Sequence, residues 1–291
     1  MKKLSQIIFI FILLFALFCT NRSARAASTL RIGFITDWEY QIYNSDDKLS
    51  LKASSYLKYA VDQLNDKNLH VAIGGGDYIE GSDTTEANAI KYLKDMNKTF
   101  KKIEASRRYY LIGNHDLRAL DTGQCKSALG IDYLHKAFVK RGFKVILLDT
   151  NFDEDGGHRG KDHYAEGYVS DGELDWLEDE IESSEEPVII FSHHSPARPN
   201  DRRDIKNSSD VTEVIEKSGK VVAVVSGHYP RYFHEEENGV HYFVVSNLVN
   251  KKDKKSYAYI KLQKRGSRVY FKLQQKGKTK RSVSFNKIIN I

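Results

Sequence analysis

Residues Gly113, Asn114, His115 and Asp116 directly follow the apolar run Tyr109, Tyr110, Leu111, Ile112. A strand that ends in a glycine turn puts an amide oxygen, an imidazole and a carboxylate on one short loop, where all three can face the same small volume. Such a donor set suits a metal-assisted active site. Four further polar clusters each come straight after an apolar run: Asp37 with Glu39, Gly76 with Asp77, His193 with His194, and Gly227 with His228. Singly, each has a plain structural explanation, since an Asp after a strand often caps a helix, Gly-Asp is a common turn, and a lone buried His is usually a hydrogen-bonded core residue. Five in succession argue for a shared site.

The elements that must position these clusters follow from hydrophobic periodicity. Strands are predicted over residues 30–36, 69–73, 108–112, 144–148, 187–191 and 221–225, each short and apolar. Helices are predicted over 51–64, where Leu57, Ala60, Val61 and Leu64 recur at helical spacing, and over 84–105, 131–139, 171–182 and 211–217. In the fourth helix Leu174, Trp176 and Leu177 supply an apolar face. Strand and helix alternation of this α/β kind leaves functional residues at the carboxyl ends of strands. The chain then changes character: 240–246, 257–262 and 267–273 read as antiparallel strands with a turn at Gly266. Residues 151–167 form a long polar loop whose His158 and His163 are either lining residues of a substrate site or ordinary surface histidines.

In order, the clusters resemble the signature of the calcineurin-like metallophosphoesterases, D-x-H, G-D, G-N-H-D/E, H and G-H-x-H, from about residue 31 to 247. The resemblance implies an α/β fold in which two sheets pack as a sandwich flanked by helices, a four-layer αββα arrangement. It also implies a metal-dependent phosphoric ester hydrolase. Asp77 then matches the carboxylate shared by two divalent ions, and Asn114, His193 and His228 match the other ligands of the second. That set suits Mn, Fe or Zn. The first ion would fall to Asp37 and Asp77, with Glu39 standing where the family has an imidazole and Pro230 where it has the last histidine. An all-oxygen shell of that kind favours Mn, Mg or Ca and weaker binding. His234 and His241 are alternative donors for the position lost at Pro230. By the same resemblance His115 stands beside the scissile bond as a catalytic residue and Asp116 fixes its orientation; for His194, phosphate contact and a packing role stay open.

Phosphate esters resist attack because their negative charge repels the nucleophile and the leaving oxygen is basic. Two cations about 3.5–4 Å apart answer both problems, neutralising phosphoryl oxygens and lowering the pKa of a water between them. The expected activity is therefore hydrolysis of a phosphate mono- or diester by a metal-activated water. Rival expectations are a non-catalytic or single-metal binding protein on the same fold, to which Glu39 and Pro230 point, and a secreted nuclease.

Composition bounds the rest. Residues 1–26 read as a cleavable signal peptide: Lys2 and Lys3 open it, 7–19 is a thirteen-residue apolar run, and Ala24, Arg25, Ala26 form a small-x-small cleavage site. A spanning helix needs about 20 apolar residues, so export to the cell envelope or medium is the better expectation than anchoring. Residues 27–291 have one domain's length, with no Pro- or Ser-rich linker. Cys125 is their single cysteine, which excludes an internal disulfide, and a monomer is expected. Residues 251–291 carry fourteen basic side chains against one acidic, whereas 27–250 carry 27 against 38. The basic portion is either a surface for an anionic cell-wall polymer, lipid headgroup or nucleic acid, or the solvent face of the last strands.

Overall fold

The computed structural model describes residues 28–45, 47–197 and 204–289; the expected signal peptide lies outside them. Twelve strands form two six-stranded sheets, ordered β12-β11-β10-β1-β2-β3 and β4-β5-β6-β7-β9-β8. In the first sheet β1 (Ser28–Ile35), β2 (Leu69–Gly74) and β3 (Ala105–Tyr110) run parallel, and β10 (Tyr257–Arg265), β11 (Arg268–Lys276) and β12 (Arg281–Ile288) extend it as an antiparallel meander. In the second, β5 (Phe143–Leu148), β6 (Val188–Ser192), β7 (Val221–Ser226) and β9 (Val240–Val244) run parallel, with β4 (Lys136–Lys140) and β8 (Phe233–Glu237) antiparallel at the edges.

Period-2 alternation sorts the strand side chains into layers. Leu30, Ile32 and Phe34 of β1 meet Val145, Leu147, Ile189, Phe191 and Val225 between the sheets. The opposite face of the first sheet, with Ile35 and Ala72, is covered by α1 (Ala53–Asn65), α2 (Glu86–Phe100) and α3 (Thr122–Leu129). Ile146, Ile190 and Val224 on the outer face of the second sheet bury against Leu177 and Ile181 of α4 (Asp171–Glu182) and Val211 and Ile215 of α5 (Ser208–Lys217). The result is the expected helix-sheet-sheet-helix sandwich.

Several elements differ from the sequence expectations, the final strand β12 being unforeseen and three others having a clear local cause. The helix expected over 131–139 is instead an approach to β4, because Arg141 and Gly142 both take positive φ, 55° and 72°, and close a two-residue hairpin onto β5. Helix α3 was not anticipated, although its signals are written out: Asp121 and Gln124 make a reciprocal capping box and Gly130 ends the helix in the left-handed conformation. The segment around 240–246 belongs to the second sheet, where β9 lies parallel to β7 and pairs antiparallel only with β8.

Candidate metal centre

Five strand ends of the two sheets converge at one rim. The loop after β1 carries Asp37, that after β2 Asp77, that after β3 Asn114 and His115, and the loops after β6 and β7 carry His193, His194 and His228. His228 N donates to the Asp37 side chain at Oδ2, 2.9 Å away, and so joins the two sheets there, while Gly227 N donates to the His193 carbonyl at 3.1 Å within the second sheet. Asp37, Asp77 and His228 all sit at positive φ, 54°, 53° and 64°. Non-glycine residues rarely hold that conformation, and such strain concentrates at functional sites.

The donor atoms are aimed by their other hydrogen bonds. His193 Nδ1 lies 2.7 Å from the Gly75 carbonyl, so that nitrogen carries a proton, and Nε2 faces Asn114 Oδ1 and Asp77 Oδ2, each at 3.2 Å. Asn114 Nδ2 donates to the Tyr164 carbonyl at 2.7 Å, which turns its Oδ1 inward. Asp77 Oδ1 accepts His115 N at 2.7 Å and leaves Oδ2 for the centre. Thr36 Oγ1 donates to Asp37 Oδ2 at 2.5 Å.

The atoms without partners define the fit. Asp37 Oδ1, both ring nitrogens of His228 and Nε2 of His194 are buried without a hydrogen-bond partner. An unsatisfied buried polar atom costs about 1–3 kcal/mol, so a cluster of them marks a place for a ligand. Donor atoms of Asp37, Asp77 and His193 lie within 4.8 Å of one another, as do those of His193, His194 and His228. Carboxylate, amide oxygen and imidazole together are the donors of a divalent transition ion. Burial raises the Asp77 carboxyl, but charged His193 and His115 outweigh it and hold Asp77 well below the carboxylate range. Burial lowers His193, but Asp77 and Asp37 outweigh it and raise it to about 9, while burial, opposed by His193, raises Asp37 to about 7, so an ion bound here would displace a proton from the cluster. Burial, reinforced by neighbouring histidines, keeps His194 and His228 neutral. Neutral imidazoles and an ionised carboxylate are the forms a metal requires.

Around this cluster the structure departs from the expected roles. Asp116 does not orient the His115 ring; it accepts the backbone N–H groups of Tyr78, Ile79 and Gly113 at 2.8, 3.2 and 3.1 Å and ties the Asp77 loop to the Asn114 loop. Glu80 has the place assigned to Asp116: its Oε2 is 2.6 Å from His115 Nδ1, and Arg118 holds the other oxygen at 2.7 Å. Its signal was its position three residues after Asp77, in the same loop. Glu39 is buried near Glu80 and His115, but its oxygens are engaged: Asn247 Nδ2 donates to Oε1 at 2.8 Å, and Lys48 forms an ion pair with Oε2. Nothing in the sequence around Lys48 signals that contact. Pro230 turns its carbonyl to Asn250 Nδ2 at 3.1 Å. His234 and His241 face each other at 3.1 Å in an aromatic stack with Phe243 and Phe285, apart from the clusters above.

The long loop is divided in role. Asn151 and Tyr164 hydrogen-bond each other at 2.9 Å behind Asn114. His194 Nδ1 reaches Thr150 Oγ1 at 2.8 Å, so its ring is fixed by packing and its second nitrogen points to the cluster. His158 pairs with Asp149 at 3.1 Å and lines a separate cavity of about 490 Å³ with His135 and Glu173, whereas His163 is exposed.

Comparison with known proteins gives the same direction. The sequence profile described as calcineurin-like phosphoesterase matches residues 30–232. The chain is 30% identical over 139 residues to a 3',5'-cyclic-nucleotide phosphodiesterase of Nostoc sp.. The match covers 46% of this chain and 48% of the relative, so it spans about half the length of that protein. A dimetal phosphatase from Danio rerio superposes with a TM-score of 0.74 at 15% identity, covering 88% of this chain and 98% of that one. GAP50, described as the anchor in the inner membrane complex of Plasmodium, superposes with a TM-score of 0.59 at 12% identity, covering 91% and 89%. These two likenesses are of fold.

Proposed function

Because the chain belongs to the calcineurin-like phosphoesterases, we propose that it is an exported hydrolase of phosphate esters that acts on a diester, with Asp77, Asn114, His193 and His228 holding a divalent ion. The observation that carries the reading is the set of buried, pre-aimed donors without partners, Asp37 Oδ1 and the His228 and His194 nitrogens, beside the Asp77, Asn114 and His193 triad. A divalent ion held there supplies charge neutralisation at the phosphoryl oxygens and a water of lowered pKa. The side chains do the remaining work. His193 and Asn114 are locked by the Gly75 and Tyr164 carbonyls, so binding requires no rotamer search. His115 presents Nε2 3.9 Å from Asp77 Oδ2, and although burial lowers its pKa, Asp77 first and then Glu39 and the Nδ1 partner Glu80 favour the protonated ring. A proton at Nε2 is then available to the leaving oxygen. Support for a diester comes from the activity named for the Nostoc relative, and a monoester remains the comparison substrate.

Purified residues 27–291, stripped of metal and reloaded with Mn, Zn, Mg or Ca, should hydrolyse bis-nitrophenyl phosphate and a 3',5'-cyclic nucleotide faster than nitrophenyl phosphate. Asp77→Asn should lose both metal and turnover. His115→Ala should keep its metal and lose roughly 10²–10⁴ in kcat, the range for positioned proton transfer. No hydrolysis of any ester with any of the four ions would overturn the reading, and equal metal loss in both variants would overturn the role of His115.

A further inference from the structure

The donors expected at the two metal positions are unequally free. At the second position Asp77 Oδ2, Asn114 Oδ1 and His193 Nε2 converge and His228 has both nitrogens open. At the first, Pro230 offers no side-chain donor, and its carbonyl is taken by Asn250. Asp37 Oδ2 is taken by Thr36 Oγ1 and His228 N, which leaves Oδ1. Glu39 Oε1 accepts from Asn247, and Oε2, though without a hydrogen-bond partner, is in an ion pair with Lys48.

Lys48 is not a surface chain that has folded over by chance. Its backbone is clamped: Lys48 bridges Asn250, Leu49 N donates to the Val249 carbonyl at 2.8 Å, and Lys251 N donates to the Asp47 carbonyl at 2.9 Å. The strand end that carries Asn247 toward Glu39 thus also fixes the segment that delivers the ammonium. The side chain is 22% exposed and its partner carboxylate 1%. A buried carboxylate needs a charge partner, and Glu39 has one built into the chain. Glu80, the neighbouring acid, has Arg118.

From this we infer that Lys48 supplies the positive charge of the first metal position, so that the chain binds one divalent ion, at the Asp77, Asn114, His193 and His228 position, in contrast to the Danio rerio neighbour described as a dimetal phosphatase. The inference rests on the metal-dependent reading above and narrows it. A second divalent ion beside Asp37 would have to displace the ammonium from Glu39 or sit beside it as a like charge, and the nearby group of Glu39, Glu80 and His115, whose donor atoms lie within 4.8 Å of one another, already has Lys48 on Glu39 and Arg118 on Glu80. Hard divalent ions take about six oxygen ligands, so that position falls short.

The test is metal stoichiometry of the full exported chain, measured by elemental analysis after loading with Mn²⁺ or Zn²⁺ and by titration calorimetry. One ion per chain is expected, rising to two in Lys48→Met, which keeps the stem and removes the charge, and remaining one in Lys48→Arg. Two ions in the unmodified chain, or one in a folded Lys48→Met, would overturn the inference while leaving the hydrolase reading intact. No bound ion at all would overturn both. If Lys48→Met does not fold, the Mn²⁺ electron paramagnetic resonance spectrum of the unmodified chain decides: isolated-ion lines at every loading are expected, and an exchange-coupled pair would refute the role of Lys48.

Discussion

His115 and Glu80 divide one job between two loops. The imidazole comes from the loop after β3 and the carboxylate from the loop after β2, and their 2.6 Å contact makes the ring's orientation depend on both. Glu80→Gln keeps a hydrogen-bonding oxygen but removes the charge that favours the protonated ring. Its expected effect is a fall in kcat of about tenfold or more, part of the roughly 10²–10⁴ that proton transfer contributes, with metal content unchanged. The loss should be larger for an alkyl leaving group than for nitrophenolate, which departs without a proton; an equal loss for both would make Glu80 structural. At this scale the sequence was legible in placement, since Asp77, Asn114, His193 and His228, each expected after a strand, do meet at one rim. It was not legible where a role depends on contact across loops. Asp116 stands next to His115 in the chain yet turns to three backbone amides, and Glu80 reaches the imidazole from 35 residues away. Lys48 and Glu39 meet only because Asn250 and Asn247 arrive from the far end of the chain.

The strand ends work as a set because their turns are tight. A Cβ on Gly113 would lie 2.2 Å from Asp77 Oδ1 and 2.7 Å from His193 Cε1, and a Cβ on Gly227 would lie 2.0 Å from Thr36 Oγ1. Gly113→Ala should therefore cost about 1–3 kcal/mol of stability as overpacking does, and should lower metal affinity more than a similar substitution outside the rim. Thermal melts with and without Mn²⁺ measure both, and a variant that binds Mn²⁺ normally would show that the loop has room. The β8–β9 hairpin behaves differently. Burial holds His241 down to about 4, helped by His234 and Lys287 and opposed by Glu236, while its ring stacks 3.4 Å from Phe285. Its folded pKa is below the unfolded value near 6.5, so acid favours the unfolded chain. Stability is complete above about 6.5 and is lost as pH falls toward 4. His241→Phe keeps the stack and cannot protonate, so its Tm should fall less between pH 7 and pH 4; an unchanged acid slope would exclude His241 as a source. Periodicity identified the buried parallel strands because two covered faces make them nearly continuous apolar runs. It failed at β4, where the period of a short half-exposed edge strand is ambiguous and the Arg141–Gly142 turn was the better signal.

Across the whole molecule, the basic portion forms the β10–β12 meander that widens the first sheet. There Val269, Phe271 and Leu273 point inward while Arg268, Tyr270 and Lys272 face solvent, and Lys261 sits opposite Lys272 in register. That alternation accounts for the charge as the wet face of an antiparallel sheet. Hydrolysis of a small diester should accordingly change little with salt; a steep fall would point to a polyanion tracked by this face, since phosphate contacts release counterions. The opposite end of the chain carries the stronger statement. β1 is paired from its first residue, Ser28 opposite Lys264 and Thr29 opposite Gln263, in the middle of the sheet. The small-x-small site ends at Ala26, and only Ala27 separates it from the start of that pairing. Cleavage there would remove the apolar run of 7–19 and leave the β1 ladder from Ser28 onward intact, whereas cleavage a few residues later would unpair the start of β1, where Leu30 is fully buried. We therefore expect the exported protein to begin at Ala27, and intact-mass measurement or terminal sequencing of the secreted form reads this directly. Ala26→Lys should block processing and leave the chain attached to the membrane, with the hydrolase domain folded and active on it. A secreted form that still begins with Met1 would overturn the assignment of the cleavage site.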